Sequence, residues 1–92
     1  MNYEWDEAKR AANLAKHDVD FESAVDFDWE TAVETIDDRF NYGETRWVAL
    51  GTIGRRLYVM IYTQRSNTIR IVSLRKANQR ERKYYETQTR TD

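Results

Sequence analysis

The sequence predicts an α+β fold with two N-terminal helices, a small antiparallel sheet of about four strands and a C-terminal helix. Apolar residues recur at helical spacing near the N-terminus, whereas segments in the middle of the chain alternate as strands do. Short turn sequences separate the last three strands, so these strands are expected to form an antiparallel meander. We expect the helices to pack on one sheet face as a two-layer sandwich and to leave the other face open.

Two helices are predicted before the sheet. In segment 5–17 (WDEAKRAANLAKH), four alanines recur at helical spacing, and Asp6 is placed to cap the N-terminus. The alanines are expected to pack closely on the sheet, and Asp6 and Arg10 have the i,i+4 spacing of an ion pair. Segment 20–27 (DFESAVDF) predicts a short second helix with Asp20 as its N-cap.

The strands are predicted from alternation and turn residues. In the third strand, Tyr58 and Tyr62 share one face, and Leu57 and Ile61 share the opposite face. We expect the open face of the sheet to carry tyrosines together with arginines such as Arg70. The predicted strands are 31–36, 45–53, 56–64 and 68–74, and the C-terminal helix is 76–86.

Composition and charge bound the function. With 92 residues, 40% of them apolar, the range 1–92 is expected to be one domain. The first 46 residues carry 5 basic and 13 acidic side chains, and the other 46 carry 10 basic and 3 acidic ones. This asymmetry indicates a nucleic-acid surface or an oppositely charged partner, unless the two halves neutralise one another in the folded domain.

Cysteine usage and apolar runs predict a cytoplasmic protein that is not in a membrane. The chain has no cysteine, which excludes disulfides and thiolate metal sites and suits a reducing compartment. Its longest apolar run, 57–62, is far shorter than the roughly 20 residues that a membrane-spanning helix needs. The N-terminus also lacks the apolar segment of a signal peptide.

Segment 70–85 (RIVSLRKANQRERKYY) concentrates positive charge against a single glutamate. In the predicted helix, Lys76, Arg80 and Lys83 lie at i, i+4 and i+7, along one stripe. Cationic groups interleaved with tyrosines suit single-stranded RNA, because cations bind phosphates and rings stack on unpaired bases. The alternative interpretation is a solvated basic face whose tyrosines pack on the sheet.

Few other residues are candidates for catalysis. His17, the only histidine, is interpreted either as a structural residue at a helix end or as a proton shuttle near neutral pH. A mechanism that needs two histidines is excluded. Glu44 and Arg46 share a strand face and could form an ion pair or hold a substrate phosphate. The sequence has no phosphate-binding glycine loop and no metal-ligand cluster, so no cofactor or metal is expected.

Three segments together resemble the BrnT toxins, the ribonuclease partners of bacterial BrnT/BrnA toxin–antitoxin pairs. They are 5–24 (WDEAKRAANLAKHDVDFESA), 42–51 (YGETRWVALG) and 62–85 (YTQRSNTIRIVSLRKANQRERKYY), in the order and at the spacings of the family. Two positions depart from the pattern. Asp18 replaces a usual glycine but tolerates left-handed backbone angles, and Leu74 replaces a common alanine or methionine.

The resemblance implies a RelE-like fold and RNA cleavage without a metal. It also implies a cognate BrnA-like antitoxin, which neutralises the toxin and represses their shared operon, so that DNA is contacted only through the antitoxin. The positions that match the family motifs are Lys9, Lys16, His17, Glu44, Arg46, Arg65, Arg70, Ser73, Arg75, Glu81 and Tyr85.

Cleavage through the 2′-hydroxyl requires in-line alignment, stabilisation of a negatively charged phosphorane and two proton transfers. We expect Arg70 and Arg75 to stabilise the phosphorane in one anion-accepting pocket, because a guanidinium fork matches two phosphate oxygens. Candidates for proton transfer are His17, Lys9 and Tyr85, in that order. The residues expected to bind RNA are Lys16, Glu44, Arg46, Arg65, Lys76, Arg80 and Lys83.

Three functions remain open from the sequence. The first is an endoribonuclease toxin, which the resemblance and the basic half favour. The second is a toxin-like binding module without catalysis, whose basic face grips an acidic antitoxin segment in a repressor complex. A stand-alone nucleic-acid binder ranks last, because no recognised reading helix is present.

Overall fold

This computed structural model describes residues 1–39 and 41–90, which contain eight elements of secondary structure. Phe40 and residues 91–92 lie outside the described residues. The predicted α+β class is confirmed. In chain order the elements are β1 (Asn2–Trp5), α1 (Glu7–His17), a 3₁₀ helix (Phe21–Asp26), β2 (Val33–Asp37), β3 (Arg46–Ile53), β4 (Arg56–Arg65), β5 (Thr68–Lys76) and α2 (Gln79–Thr89).

The strands form one mixed sheet in the order β1-β5-β4-β3-β2. Strands β2 to β5 pair antiparallel, whereas β1 pairs parallel with β5. The prediction of about four antiparallel strands is therefore corrected to five strands in a mixed sheet. Residues 2–5 are too few to show a periodicity. Their pairing also depends on a strand more than sixty residues away, in which Arg70 lies opposite Glu4.

Helices lie on both faces of the sheet, which corrects the predicted two-layer sandwich. The 3₁₀ helix covers the face that carries Met60 and Leu74, both of which are completely buried, and α1 lies along the free edge of β5. On the opposite face, Tyr85 of α2 packs against a smaller cluster that includes Leu50 and Val59. Helix α2 has no buried residue, so it covers only part of this second face.

The predicted position of the tyrosines is also wrong. Tyr62 lies in the core on the side of the sheet that the 3₁₀ helix covers, where it is only 3% exposed, and Tyr58 packs against the same core. The face opposite to the 3₁₀ helix carries Arg46, Arg70 and Arg75, as the strand register shows, and we call it the arginine face.

Helix α1 turns Asn13 to the sheet. The side-chain amide of Asn13 donates to the carbonyl oxygens of Val19 and Leu74 at 3.0 and 2.7 Å, and its oxygen accepts from the Leu74 amide at 3.2 Å. Since β1 pairs with β5 only as far as Ile71, Asn13 takes the place of a strand neighbour for the next part of β5. The predicted packing of the alanines is wrong, because all four are exposed: Ala8, Ala11, Ala12 and Ala15.

The predicted N-caps Asp6 and Asp20 are both confirmed. Arg10 pairs with Glu7 and with Asp20 rather than with Asp6, whose carboxylate caps α1, so the predicted Asp6–Arg10 pair is wrong. Asp18 ends α1 in the left-handed conformation, with φ 58°, as expected for an aspartate at a position where glycine is usual. Neither α1 nor α2 is long and apolar enough to cross a membrane.

Helix α2 begins later than predicted. Strand β5 extends to Lys76, and a capping box formed by Asn78 and Glu81 starts the helix at Gln79. The predicted stripe is therefore wrong: Lys76 belongs to the strand, and only Arg80 and Lys83 share the helix.

Candidate functional site

A groove of about 300 Å³ lies between α1 and the edge of β5. It forms where β1 ends, because strand β5 continues past Ile71 without a strand on that side. Lys9 and Lys16 are seven residues apart and therefore lie on one side of α1. The described residues that line the groove include no carboxylate, so it favours an anionic ligand. The lining residues are Lys9, Ala12, Asn13, Lys16, His17, Val72 and Ser73.

Three of the predicted site residues meet in this groove: Lys9, Lys16 and His17. Both lysines are exposed, and neither forms an ion pair with any residue in 1–39 or 41–90. Their positive charges are thus available to a ligand. Ser73, another position of the resemblance, lies on the opposite wall.

The surroundings of His17 disfavour its protonated form. Partial burial lowers the pKa of its imidazole, and the nearby charges of Lys16 and Arg75 lower it further. The ring makes no hydrogen bond with the described part of the chain, so the helix-capping role falls to Asp18. A neutral imidazole with a pKa below its ordinary value can accept a proton at neutral pH.

A β-bulge at Val72 aligns three residues of β5. Consecutive residues of β4 pair with Ile71 and Ser73, so Val72 has no partner in the ladder. With strict alternation, Arg70 and Ser73 would point to opposite faces. The extra residue brings both to the arginine face together with Arg75.

Arg75 is fixed by a bidentate ion pair with Glu81. Its Nη1 and Nη2 donate to the two carboxylate oxygens at 2.9 and 2.8 Å, and the side chains of the pair are 31% and 24% exposed. The pair raises the pKa of Arg75 and lowers that of Glu81. Nη1 also donates to the Lys76 carbonyl. Three of the five guanidinium donors are therefore used, and Nε–H and one Nη2–H remain.

Arg70 is paired as well, with Glu4 of β1 at 2.8 Å. The expected pocket of uncompensated arginines is therefore not formed: Arg70 and Arg75 each lie against a carboxylate of the chain itself. The role of Glu4 could not be predicted without β1, which is too short to be recognised in the sequence. Glu81 stands out as the one acid of its segment, but its ion pair with Arg75 depends on where α2 begins.

Tyr85 and the middle motif have other partners than expected. The Tyr85 hydroxyl donates to the Thr31 carbonyl at 3.0 Å, and its ring packs against the smaller core cluster. Glu44 lies 4.0 Å from Arg65, and both are well exposed, so this pair is weak. Arg46 stacks over the Tyr42 ring at 3.9 Å and forms no ion pair in the described chain.

The remaining predicted cations, Lys76, Arg80 and Lys83, are exposed around α2. Arg80 borders a second groove, of about 350 Å³, between α2 and strands β2 and β3. This groove is mainly apolar, with Val33, Val48 and Leu50 in its lining, and it lies on the arginine face rather than beside His17. In residues 1–39 and 41–90, no group of three or more His, Asp and Glu side chains is arranged to hold a metal ion.

A family model described as "Ribonuclease toxin, BrnT, of type II toxin-antitoxin system" matches residues 5–81. The matched range contains the whole lining of the first groove and the Arg75–Glu81 pair. No curated protein matches the chain. The resemblance inferred from three segments of the sequence is thus confirmed, and the chain belongs to the BrnT family of ribonuclease toxins of type II toxin–antitoxin systems.

Proposed function

We propose that this chain is a metal-independent endoribonuclease toxin that acts in the cytoplasm and is neutralised by a BrnA-like antitoxin. The groove that joins Lys9, Lys16 and His17 without a carboxylate carries this proposal, because it offers two cations and a proton acceptor in one place. The family supplies the reaction class. The range 1–92 is proposed as one toxin domain of RelE-like type, and the antiparallel meander with packed helices supports that relation.

In this mechanism His17 acts as the general base. It takes the proton of the 2′-hydroxyl, whose oxygen attacks the adjacent phosphorus while the bond to the 5′-oxygen breaks. The products are a 2′,3′-cyclic phosphate and a 5′-hydroxyl, which receives its proton from Lys9. Lys16 stabilises the charge that develops on the phosphorane. A positioned base contributes about 10²- to 10⁴-fold to the rate.

The arginines are assigned to holding the RNA. Arg75 has two remaining donors in an orientation that Glu81 fixes, so it can still bind a phosphate oxygen. Arg70 uses a single donor for Glu4 and keeps the others. Tyr85 is not assigned a proton-transfer role, because its hydroxyl donates to a backbone carbonyl. The outer RNA-binding residues remain those expected from the sequence.

A second function is favoured by the ion pairs of Arg70 and Arg75. These pairs neutralise the two charges expected to stabilise the phosphorane, which suits a toxin-like module that binds an antitoxin and does not cut RNA. In that case the exposed cations Arg80 and Lys83 bind an acidic segment of the partner.

The test is incubation of purified protein with RNA in the presence of EDTA. We expect the native chain to cut RNA, to leave 2′,3′-cyclic phosphate ends and to leave DNA intact. The cleavage rate of His17→Gln should be lower by at least about 10²-fold. Arg55→Ala, a change in the β3–β4 turn outside the groove, is the matched control and should cut like the native chain. The native rate should rise with pH through a midpoint below 6.5, and His17→Gln should lose this limb.

Intact RNA at high protein concentration, or equal rates for the native chain and His17→Gln, would contradict the proposed mechanism. Expression in bacteria distinguishes the second function. Growth arrest that His17→Gln relieves indicates the enzyme, whereas harmless expression with tight antitoxin binding indicates the module.

A further inference from the structure

One row of side chains crosses the arginine face from edge to edge. Asp37 of β2 pairs with Arg46 of β3, and Thr63 of β4 pairs with Arg70 of β5, which in turn lies opposite Glu4 of β1. The β3–β4 ladder ends at the pair Trp47 and Tyr62, and Arg46 and Thr63 are the residues that follow this pair on the two strands, so they are adjacent in the row. The row therefore has two cations at its centre, with a threonine between them, and one carboxylate at each end.

The centre of this row contains two buried polar atoms without partners. Thr63 is 3% exposed, and its Oγ1 makes no hydrogen bond. The buried Nε of Arg46 makes no hydrogen bond either. Within residues 1–39 and 41–90, these are the only buried side-chain nitrogen or oxygen atoms without a partner. Buried polar groups in folded proteins are nearly always satisfied, so two orphans on adjacent residues require an explanation. Both can donate a hydrogen bond, and a shared acceptor would satisfy them together.

The charge around these donors also favours an anion. Asp37 is the carboxylate next to Arg46 in the row, but both of its oxygens accept hydrogen bonds from Arg39, at 2.8 and 2.9 Å. Arg46 is therefore left without an ion pair in the described chain, and it rests on the Tyr42 ring. On the other side, Arg70 gives one donor to Glu4.

We propose that Thr63 is the floor of a phosphate-binding subsite between Arg46 and Arg70, which holds the RNA backbone at a distance from the groove where it is cut. Arg70 and Ser73 lie on the same face of β5, so a strand of RNA that follows β5 leads from this subsite to the groove. Arg46 and Arg70 were expected to contact RNA, whereas Thr63 is a new positioning residue. The identity of the ligand as RNA rests on the proposed function.

The experiment uses a labelled 2′-O-methyl oligoribonucleotide, which cannot be cut, and measures its binding over a range of salt concentrations. Thr63→Val keeps the shape of the side chain and removes the hydroxyl. We expect it to weaken binding by about 10- to 100-fold, the effect of one hydrogen bond to a charged group. Thr63→Ser should bind within about twofold of the native chain. Arg46→Gln should lower the slope of log affinity against log salt by about 0.7, the value for one phosphate on a single strand.

Thr52→Val, at the other end of the sheet, is the matched control and should bind normally. Thr63→Val should also fold at least as stably as the native chain, because it removes an orphaned buried hydroxyl. Native affinity for Thr63→Val, together with lower stability, would mean that the hydroxyl binds only water or the protein, and would overturn the subsite. Tight, Thr63-dependent binding of the probe by a chain that cuts no RNA would support the subsite and refute the proposed cleavage.

Discussion

Replacing Asn13 by aspartate is a sharp test of how α1 is held against the sheet. The Asn13 amide donates to two carbonyl oxygens, those of Val19 and Leu74, and its oxygen accepts from the Leu74 amide. Aspartate has almost the same size but, when ionised, only accepts hydrogen bonds. Asn13→Asp would therefore place a carboxylate against two carbonyl oxygens at a position that is 7% exposed.

The magnitude follows from the groups left without partners. Asn13→Ala removes three hydrogen bonds, and an unsatisfied buried group costs about 1–3 kcal/mol. The Leu74 amide and carbonyl both belong to a buried strand residue, so we expect a loss of about 3 kcal/mol in the free energy of unfolding. For a domain of this size, that loss lowers Tm by about 12–24 °C. Asn13→Asp should lose more at pH 7, because the carboxylate is also desolvated there.

Thermal unfolding followed by circular dichroism at pH 4 and pH 7 distinguishes the two variants. Burial raises the pKa of the introduced carboxyl above its unfolded value of about 3.9, so its penalty is complete at high pH and shrinks as the pH falls. The stability gap between Asn13→Asp and the native chain should narrow toward pH 4, whereas that of Asn13→Ala should not. A native Tm for Asn13→Asp at pH 7 would refute this account of how α1 is held. A stability difference between Asn13→Asp and the native chain that is the same at pH 4 and pH 7 would refute it as well.

Three further predictions concern other contacts. Tyr85→Phe should lose about 1 kcal/mol of stability and keep the cleavage rate, since its hydroxyl serves a backbone carbonyl; a large loss of kcat in a folded variant would contradict this. Gly51→Ala should destabilise the fold by about 1–3 kcal/mol, because a Cβ there would overlap the ring of Phe27, and Phe27→Leu should relieve part of the loss in unfolding experiments. Arg39 lowers the pKa of Asp37 to about 2, so this carboxylate stabilises the fold above pH 4 and loses its contribution as the pH falls toward 2. Asp37→Asn should remove that part of the acid sensitivity, about 1 kcal/mol after allowing for the exposure of Arg39, and unchanged acid unfolding would refute the assignment.

Local patterns predicted most elements but not their neighbours in space. Periodicity and caps located α1, the short helix, the meander and α2 to within a few residues, because each of these signals lies inside the element itself. Strand β1 was missed, since four residues carry no period. Its Glu4 changes the environment of Arg70, so one missed strand also changed the expected site.

The faces of the sheet were harder to predict than its strands. The bulge at Val72 moves Ser73 and Arg75 to the face of Arg70, and no residue type in the segment announces it. Asn13 broke the apolar pattern of α1, and this polar residue in the middle of a helix was the one local signal of its contact with β5. The resemblance alone named Lys9, Lys16 and His17 together, whereas their meeting with Ser73 depends on where β1 stops.

The length of β1 governs access to the groove. Asp6 caps α1 directly after Trp5, the last residue of the strand, so the chain turns away from β5 just before Val72. In a relative with two more residues in this strand, β1 would continue to pair with β5, and its main chain would cover the two lysines and the imidazole. Access to the groove is therefore set by a single capping carboxylate. Inserting residues before Asp6 would close the groove without changing any group that faces RNA.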